Sequence, residues 1–135
     1  MKASPADSAG IGPTPVQDKP WGTEVIFAAG ENGYVGKVIR VDAGQALSLQ
    51  YHREKDETIS VVLGELILEY GSDVDHLDHR TLLAGDTVHL PPTVVHRITA
   101  VTDVVAVEAS TAGPGWREDV VRLSDRYGRT GTSAP

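Results

Sequence analysis

The chain has no cysteine. That absence excludes Cys-type zinc sites, iron–sulfur clusters, thiol nucleophiles and any disulfide framework. Aromatic residues are scarce, at 5%, so the core must be aliphatic. Cations are in deficit: 12 Lys and Arg face 19 Asp and Glu, a formal net charge of −7. A surface of that sign argues against general nucleic-acid or anionic-membrane binding. No stretch approaches the ~18 consecutive apolar residues of a membrane span, and no basic segment followed by an apolar one opens the chain as a secretory leader would. The expectation is a soluble, cytoplasmic protein without nucleic-acid or membrane partners. At 135 residues it can bury roughly two-thirds of its unfolded surface, enough for one domain to hold together without cross-links.

Residues 1–18 are small, polar and rich in Pro and Gly. Such a stretch cannot bury enough surface to offset its ordering entropy, so it reads as a flexible tail. Residues 130–135 read as a flexible end, leaving a domain over 19–129. Within it, turn signals such as Gly30–Gly33, Ala43–Gly44, Gly64, Gly71–Ser72, Gly85–Asp86 and Pro91–Pro92 recur at short intervals. Between them lie runs rich in Val, Ile, Leu, Thr and Tyr: Gly33–Val41, Ala46–Tyr51, Thr58–Leu63, Glu65–Tyr70, Thr87–Leu90, Arg97–Val101 and Val104–Glu108. Many short strands between turns predict an all-β sandwich or barrel. One helical segment is expected, Arg117–Asp125, on the apolar patch of Val120, Val121 and Leu123.

Five histidines are available for chemistry: His52, His76, His79, His89 and His96. Alternation along Ser48, Gln50 and His52 turns those three to one strand face. Glu57 opens the next strand, and His96 opens a later one. In a closed barrel Gln50, His52, Glu57 and His96 converge as nitrogen and oxygen ligands for a divalent metal. Each also has a plain structural reading: hydrogen-bonded core or rim histidines, a buried amide, a carboxylate in a solvated turn. The run Asp73-Val-Asp75-His76-Leu-Asp78-His79 reads as a solvated hairpin or loop rather than a second metal site.

The two blocks Gly44–Gly64 and Gly85–Ala100 resemble the paired motifs of the cupin superfamily. More narrowly, Lys19-Pro-Trp-Gly22, Leu47-Ser-Leu-Gln-Tyr-His52, His96-Arg-Ile98 and the tail from Asp119 to Arg129 resemble the C-terminal cupin module of type II mannose-6-phosphate isomerases. The resemblance covers about residues 19–129. It implies a double-stranded β-helix, or jelly-roll barrel, with a short C-terminal helical segment. It also implies one divalent metal ion on Gln50, His52, Glu57 and His96, with zinc first and iron, manganese, cobalt or nickel as alternatives. Lys37 aligns with a lysine of that module, so Lys37 and Glu57 are the residues expected to take part in chemistry; a solvated strand lysine is the other reading of Lys37. Arg40 and Arg97 are candidates to orient an anionic group, with a surface role the favoured reading of each singly, and Asp125, Arg126, Tyr127 and Arg129 form an expected latch over one barrel mouth. The implied activity is isomerisation or epimerisation of a carbohydrate-like hydroxycarbonyl substrate by a homodimer. An iron-dependent oxygenase and a non-catalytic metal- or small-molecule-binding cupin are the alternatives. The chain departs from the isomerase pattern at Lys55, Thr58, Ile59, Thr93 and Ala100, which points away from mannose 6-phosphate itself.

The acidity is not spread evenly. Residues 54–78 hold eight acids and one lysine, so the whole net charge of −7 falls there and the rest of the chain balances. Read from sequence, that field should repel a doubly charged phosphate and favour a less anionic substrate.

Overall fold

Turn residues cut the chain into short runs, and the computed structural model, which describes residues 8–132, pairs eleven of them as strands among the described residues. Residues 1–7 and 133–135, within the expected flexible ends, lie outside the described residues. In chain order the strands are β1 (Gln17–Lys19), β2 (Gly22–Ala29), β3 (Tyr34–Val41), β4 (Leu49–His52), β5 (Glu57–Leu63) and β6 (Glu65–Gly71). They continue with β7 (Leu77–Leu83), β8 (Thr87–Leu90), β9 (Val95–Ala100), β10 (Val104–Thr111) and β11 (Val120–Ser124). Two antiparallel sheets, β1-β2-β3-β10-β5-β8 and β11-β4-β9-β6-β7, pack as a jelly-roll barrel. No helix among the described residues is long and apolar enough to cross a membrane.

Inward-facing positions alternate along each strand, and four of them follow one pattern. β3 turns in Val41, Ile39 and then Lys37; β5 turns in Val61, Ile59 and then Glu57. β9 turns in Ala100, Ile98 and then His96; β10 turns in Val104, Ala106 and then Glu108. All twelve are buried. One half of the barrel is therefore filled by an aliphatic cluster that also takes in Leu66, Leu68, Leu82 and Leu90. The other half receives the charged ends of the same strands.

Two backbone positions fix this arrangement. Gly64, between β5 and β6, has φ 92°, and a Cβ there would run into the carbonyl of Asp103; only glycine fits. Thr93 has φ 73°, in the left-handed region that β-branched residues avoid. Its amide donates to the His52 carbonyl at 2.7 Å, tying the loop before β9 to the end of β4.

Three segments differ from the sequence expectation. Over Arg117–Asp125 the expected helix is replaced by a single 3-10 turn, Trp116–Glu118, followed by β11. Val120 and Arg122 point inward while Val121 and Leu123 point out, a period of two. The free edge of β4 takes up this β-branched segment, and tertiary pairing overrides the apolar patch. β7 forms along Leu77–Leu83, a strand not foreseen because polar residues on both faces hide the alternation; with β6 it makes the hairpin that is one of the two readings of residues 73–79. At the N-terminal side β1 takes up Gln17 and Asp18 from the expected tail, paired to β2.

Candidate active site

His52 ends β4, Glu57 begins β5, and His96 lies on β9 directly opposite Gln50 of β4. The register therefore gathers residues distant in sequence. One ligand atom from each of His52, Glu57 and His96 lies within 4.8 Å of the others, and all three residues are buried. His96 donates from Nδ1 to the Val94 carbonyl at 2.9 Å, which orients its Nε2 toward Glu57 Oε1, 3.0 Å away. His52 Nε2 stands 3.5 Å from the same oxygen, and neither of its ring nitrogens has a hydrogen-bond partner. Two orphaned imidazole nitrogens on a buried ring are costly in a purely structural site. One of them, Nε2 on the Glu57 side, fits a divalent ion held by nitrogen and oxygen donors. Gln50 adjoins the cluster on the cavity wall, and its Oε1 accepts from Ser48 Oγ at 2.8 Å.

Burial alone would raise the Glu57 carboxyl, but the His52 and His96 rings and the Lys55 charge hold it well below the usual range. Burial likewise opposes charge on His96, yet the Glu57 carboxylate and the Val94 carbonyl raise it. Lys55 is enclosed, with Nζ 3.3 Å from Glu57 Oε2 and 3.0 Å from Glu108 Oε2; against the opposing effect of burial, those two carboxylates raise its pKa. Burial, followed by the Glu57 charge, pushes Glu108 up to about 7.

Above this cluster the cavity opens over about 600 Å³, counting its open mouth. Its walls carry Lys19, Lys37, Lys55, Arg117, Arg122 and Arg129, against the carboxylates of Glu24 and Glu108. Lys37 Nζ is 3.6 Å from Glu24 Oε2 and 5.6 Å from the centre of the Trp116 ring. Burial lowers the Lys19 pKa, with Lys37, Arg129 and Arg122 adding to the effect against Glu24. Burial and then Arg129 lower that of Arg122. Arg122 gives Nη1 to Thr132 Oγ1 at 2.9 Å while its Nε has no partner. Among the described residues, every buried side-chain polar atom without a partner belongs to Glu24, His52 or Arg122, and all three line this cavity.

This wall overturns the charge argument made from sequence. Of the eight acids in residues 54–78, only Glu57 lines the barrel cavity; the hairpin of β6 and β7 carries most of the others. The interior is cationic inside an acidic chain, and a cationic interior attracts anions.

His52, Glu57 and His96 are brought together, and Gln50 and Lys37 lie on the cavity wall beside them. Arg40 is exposed, and Arg97 binds Glu69 through two hydrogen bonds of 2.8 and 3.0 Å on the outer face, so neither reaches the cavity. His76 pairs with Asp73 at 2.8 Å and His89 with Asp56 at 2.7 Å, both exposed. In the tail, Tyr127 donates to Gln45 Oε1 at 2.6 Å and Arg126 to the Gly44 carbonyl at 2.7 Å. Arg129, paired with Asp125, continues into the cavity wall. Sequence reasoning passed over Glu24, Glu108, Arg122 and Lys55 as site residues. For the first three the available signal was a charged residue at the inward parity of an otherwise apolar strand.

No protein-family model matches the chain. It is 30% identical over 114 residues to the xanthan biosynthesis protein XanB of Xanthomonas campestris, covering 83% of this chain and 23% of that protein. It is 28% identical over 113 residues to the mannose-1-phosphate guanylyltransferase of Escherichia coli, covering 82% of this chain and 22% of that protein. The chain thus spans about a quarter of the length of these curated relatives. Among solved structures, the capsular polysaccharide assembling protein CapF of Staphylococcus aureus shares the fold. Its TM-score is 0.71 at 18% identity, over 90% of this chain and 37% of that one.

Proposed function

The chain is a cupin by fold, and on that footing we propose that it is a metal-dependent isomerase or epimerase of a small, anionic, carbohydrate-like hydroxycarbonyl compound. The observation that carries this reading is a His52–Glu57–His96 cluster beside a cavity whose wall, lined by His52 itself, is mostly cationic. The relatives' names, xanthan biosynthesis, mannose-1-phosphate guanylyltransferase and capsular polysaccharide assembly, support a carbohydrate-related substrate.

His52, Glu57 and His96, with Gln50 as a further donor, would hold the ion, zinc being the first candidate. When bound it supplies Lewis-acid polarisation of adjacent carbonyl and hydroxyl oxygens. The chain's own residues do the rest. Lys19, Arg122 and Arg129 bind the substrate's anionic group, where partly desolvated cations gain most from an anion. The aliphatic half of the barrel closes the far side and keeps water out. Lys37, held near Glu24 at 3.6 Å, reaches into the cavity and moves the proton on the carbon beside the carbonyl. A homodimer remains part of the reading and is checked by light scattering.

Elemental analysis of the purified protein, with proton NMR of candidate sugar acids and sugar phosphates in heavy water, tests the proposal. Stoichiometric zinc, cobalt or manganese and exchange of the proton beside the carbonyl are expected, both lost in His52→Ala and kept in His76→Ala. Absence of stoichiometric metal would overturn the enzyme reading, and iron with dioxygen uptake would replace it with an oxygenase.

A further inference from the structure

Glu57 uses its two oxygens differently. Oε1 faces His96 Nε2 at 3.0 Å and His52 Nε2 at 3.5 Å, whereas Oε2 faces Lys55 Nζ at 3.3 Å. Lys55 is itself fixed from several sides. Its Nζ bonds Glu108 Oε2 at 3.0 Å, and Ser110 Oγ donates to that oxygen at 3.4 Å. Its backbone amide and that of Glu54 both donate to Asp119 Oδ2, at 2.9 and 3.0 Å. A buried ammonium persists only where carboxylates compensate it, and here two of them do. An unrestrained carboxylate can meet a divalent ion through one oxygen or through both. A charge-assisted hydrogen bond on one oxygen removes that freedom.

We infer that Lys55 is a positioning residue that restricts Glu57 to one-oxygen donation within the His52–Glu57–His96 set and draws charge away from that donor. The inference rests on the metal reading above. It gives a reason for a buried lysine beside the cluster: a ligand carboxylate limited to one oxygen leaves the ion more Lewis acidic and keeps a coordination position for substrate.

The test uses Co²⁺ as the probe on the full chain: wild type, Lys55→Arg, Lys55→Met, and the double variant Lys55→Met with Glu108→Gln. The double variant removes the buried charge pair together, so it stays informative if Lys55→Met fails to fold. The readouts are the intensity of the visible Co²⁺ absorption, which falls as coordination number rises, and affinity by chelator competition. Wild type and Lys55→Arg are expected to share one spectrum. Lys55→Met and the double variant should lose roughly half of the intensity as the second Glu57 oxygen enters. Lys55→Met should also bind Co²⁺ several-fold more tightly, because the neighbouring ammonium is gone, whereas the double variant, which loses a carboxylate with it, should keep an affinity near that of wild type. Spectra and affinities matching wild type in the variants that fold would overturn the inference while leaving the metal site standing. A wild-type chain that takes up no Co²⁺ would overturn the metal reading and this inference with it.

Discussion

Ile39, Ile59, Ile98 and Ala106 sit in the aliphatic half of the barrel, and at the next inward position of the same strands stand Lys37, Glu57, His96 and Glu108. All eight are buried, yet burial does opposite things to them. In the first group it removes apolar surface from water and stabilises the fold. In the second it strips hydration from charges, which costs stability unless partners restore it. The partnering is incomplete, since His52, Glu24 and Arg122 keep buried polar atoms without a hydrogen bond. The aliphatic half holds the protein together; the polar half keeps charged and polar atoms whose pairing within the chain is incomplete.

The largest expected effect lies in the aliphatic half. Leu68 is 2% exposed at the centre of the core cluster. Leu68→Ala should lower the unfolding free energy by about 2–5 kcal/mol, measured by chemical denaturation, while the folded fraction keeps its metal stoichiometry. A matching loss of metal at full occupancy of the fold would show that the two halves are not separable. Arg122→Met should do the reverse. Because burial and Arg129 already disfavour the Arg122 charge, stability should stay within about 1 kcal/mol of wild type. Affinity for inorganic phosphate, followed by calorimetry, should fall about 10-fold or more. A variant that loses several kcal/mol of stability while its folded fraction binds phosphate as wild type does would make Arg122 part of the scaffold instead.

Next in size is Thr93→Gly. Thr93 is the one described residue other than glycine with positive φ, and it holds the loop before His96 against the His52 carbonyl. Glycine relieves the left-handed strain but enlarges the unfolded ensemble. The net gain should be about 1 kcal/mol in thermal or chemical unfolding. A loss would mean that the threonine side chain, rather than the amide bond to His52, supports the loop.

These contrasts also explain what could be read in advance. Short β-branched runs between turns were enough for the all-β barrel, because alternation and turn chemistry are local signals. That His52, Glu57 and His96 would lie close together could be anticipated because their spacing follows a two-block pattern along the chain; that they and Gln50 hold a metal is part of the proposal. β11 was misread as helix because Val120, Val121 and Leu123 look apolar in either period, and the free edge of β4 that recruits them is a tertiary fact. The polarity of the cavity was misread for the same reason. Formal charge sums side chains without regard to which face they occupy, and Glu65 and Glu69 sit at the outward positions of β6 and Asp78 of β7 is exposed, while Lys37, Lys55 and Arg122 are buried. Lys55 lies outside any strand, so no alternation could mark it.

The smallest expected effect is on the outer face of the same sheet that carries His96. Glu69 of β6 stands opposite Arg97 of β9 and His79 of β7, and Arg97 grips both its oxygens, at 2.8 and 3.0 Å. The hydrogen bonds from Arg97 come first among the causes that hold the Glu69 carboxyl below its ordinary value of 4.5, against partial burial and with help from His79 and Arg126. A carboxyl depressed in the folded state stabilises the fold above its unfolded pKa, and that contribution is lost as the pH falls through the folded one. Solvent screens the pair, so its worth is about 0.5–1 kcal/mol. Arg97→Ala should therefore unfold slightly more easily at pH 7, and the gap to wild type should close on acidification below pH 4.5. A gap of several kcal/mol, or one indifferent to acid, would mean that this outer pair behaves like the buried charges of the cavity, and the contrast between a demanding interior and a satisfied surface would fail at its clearest exposed example.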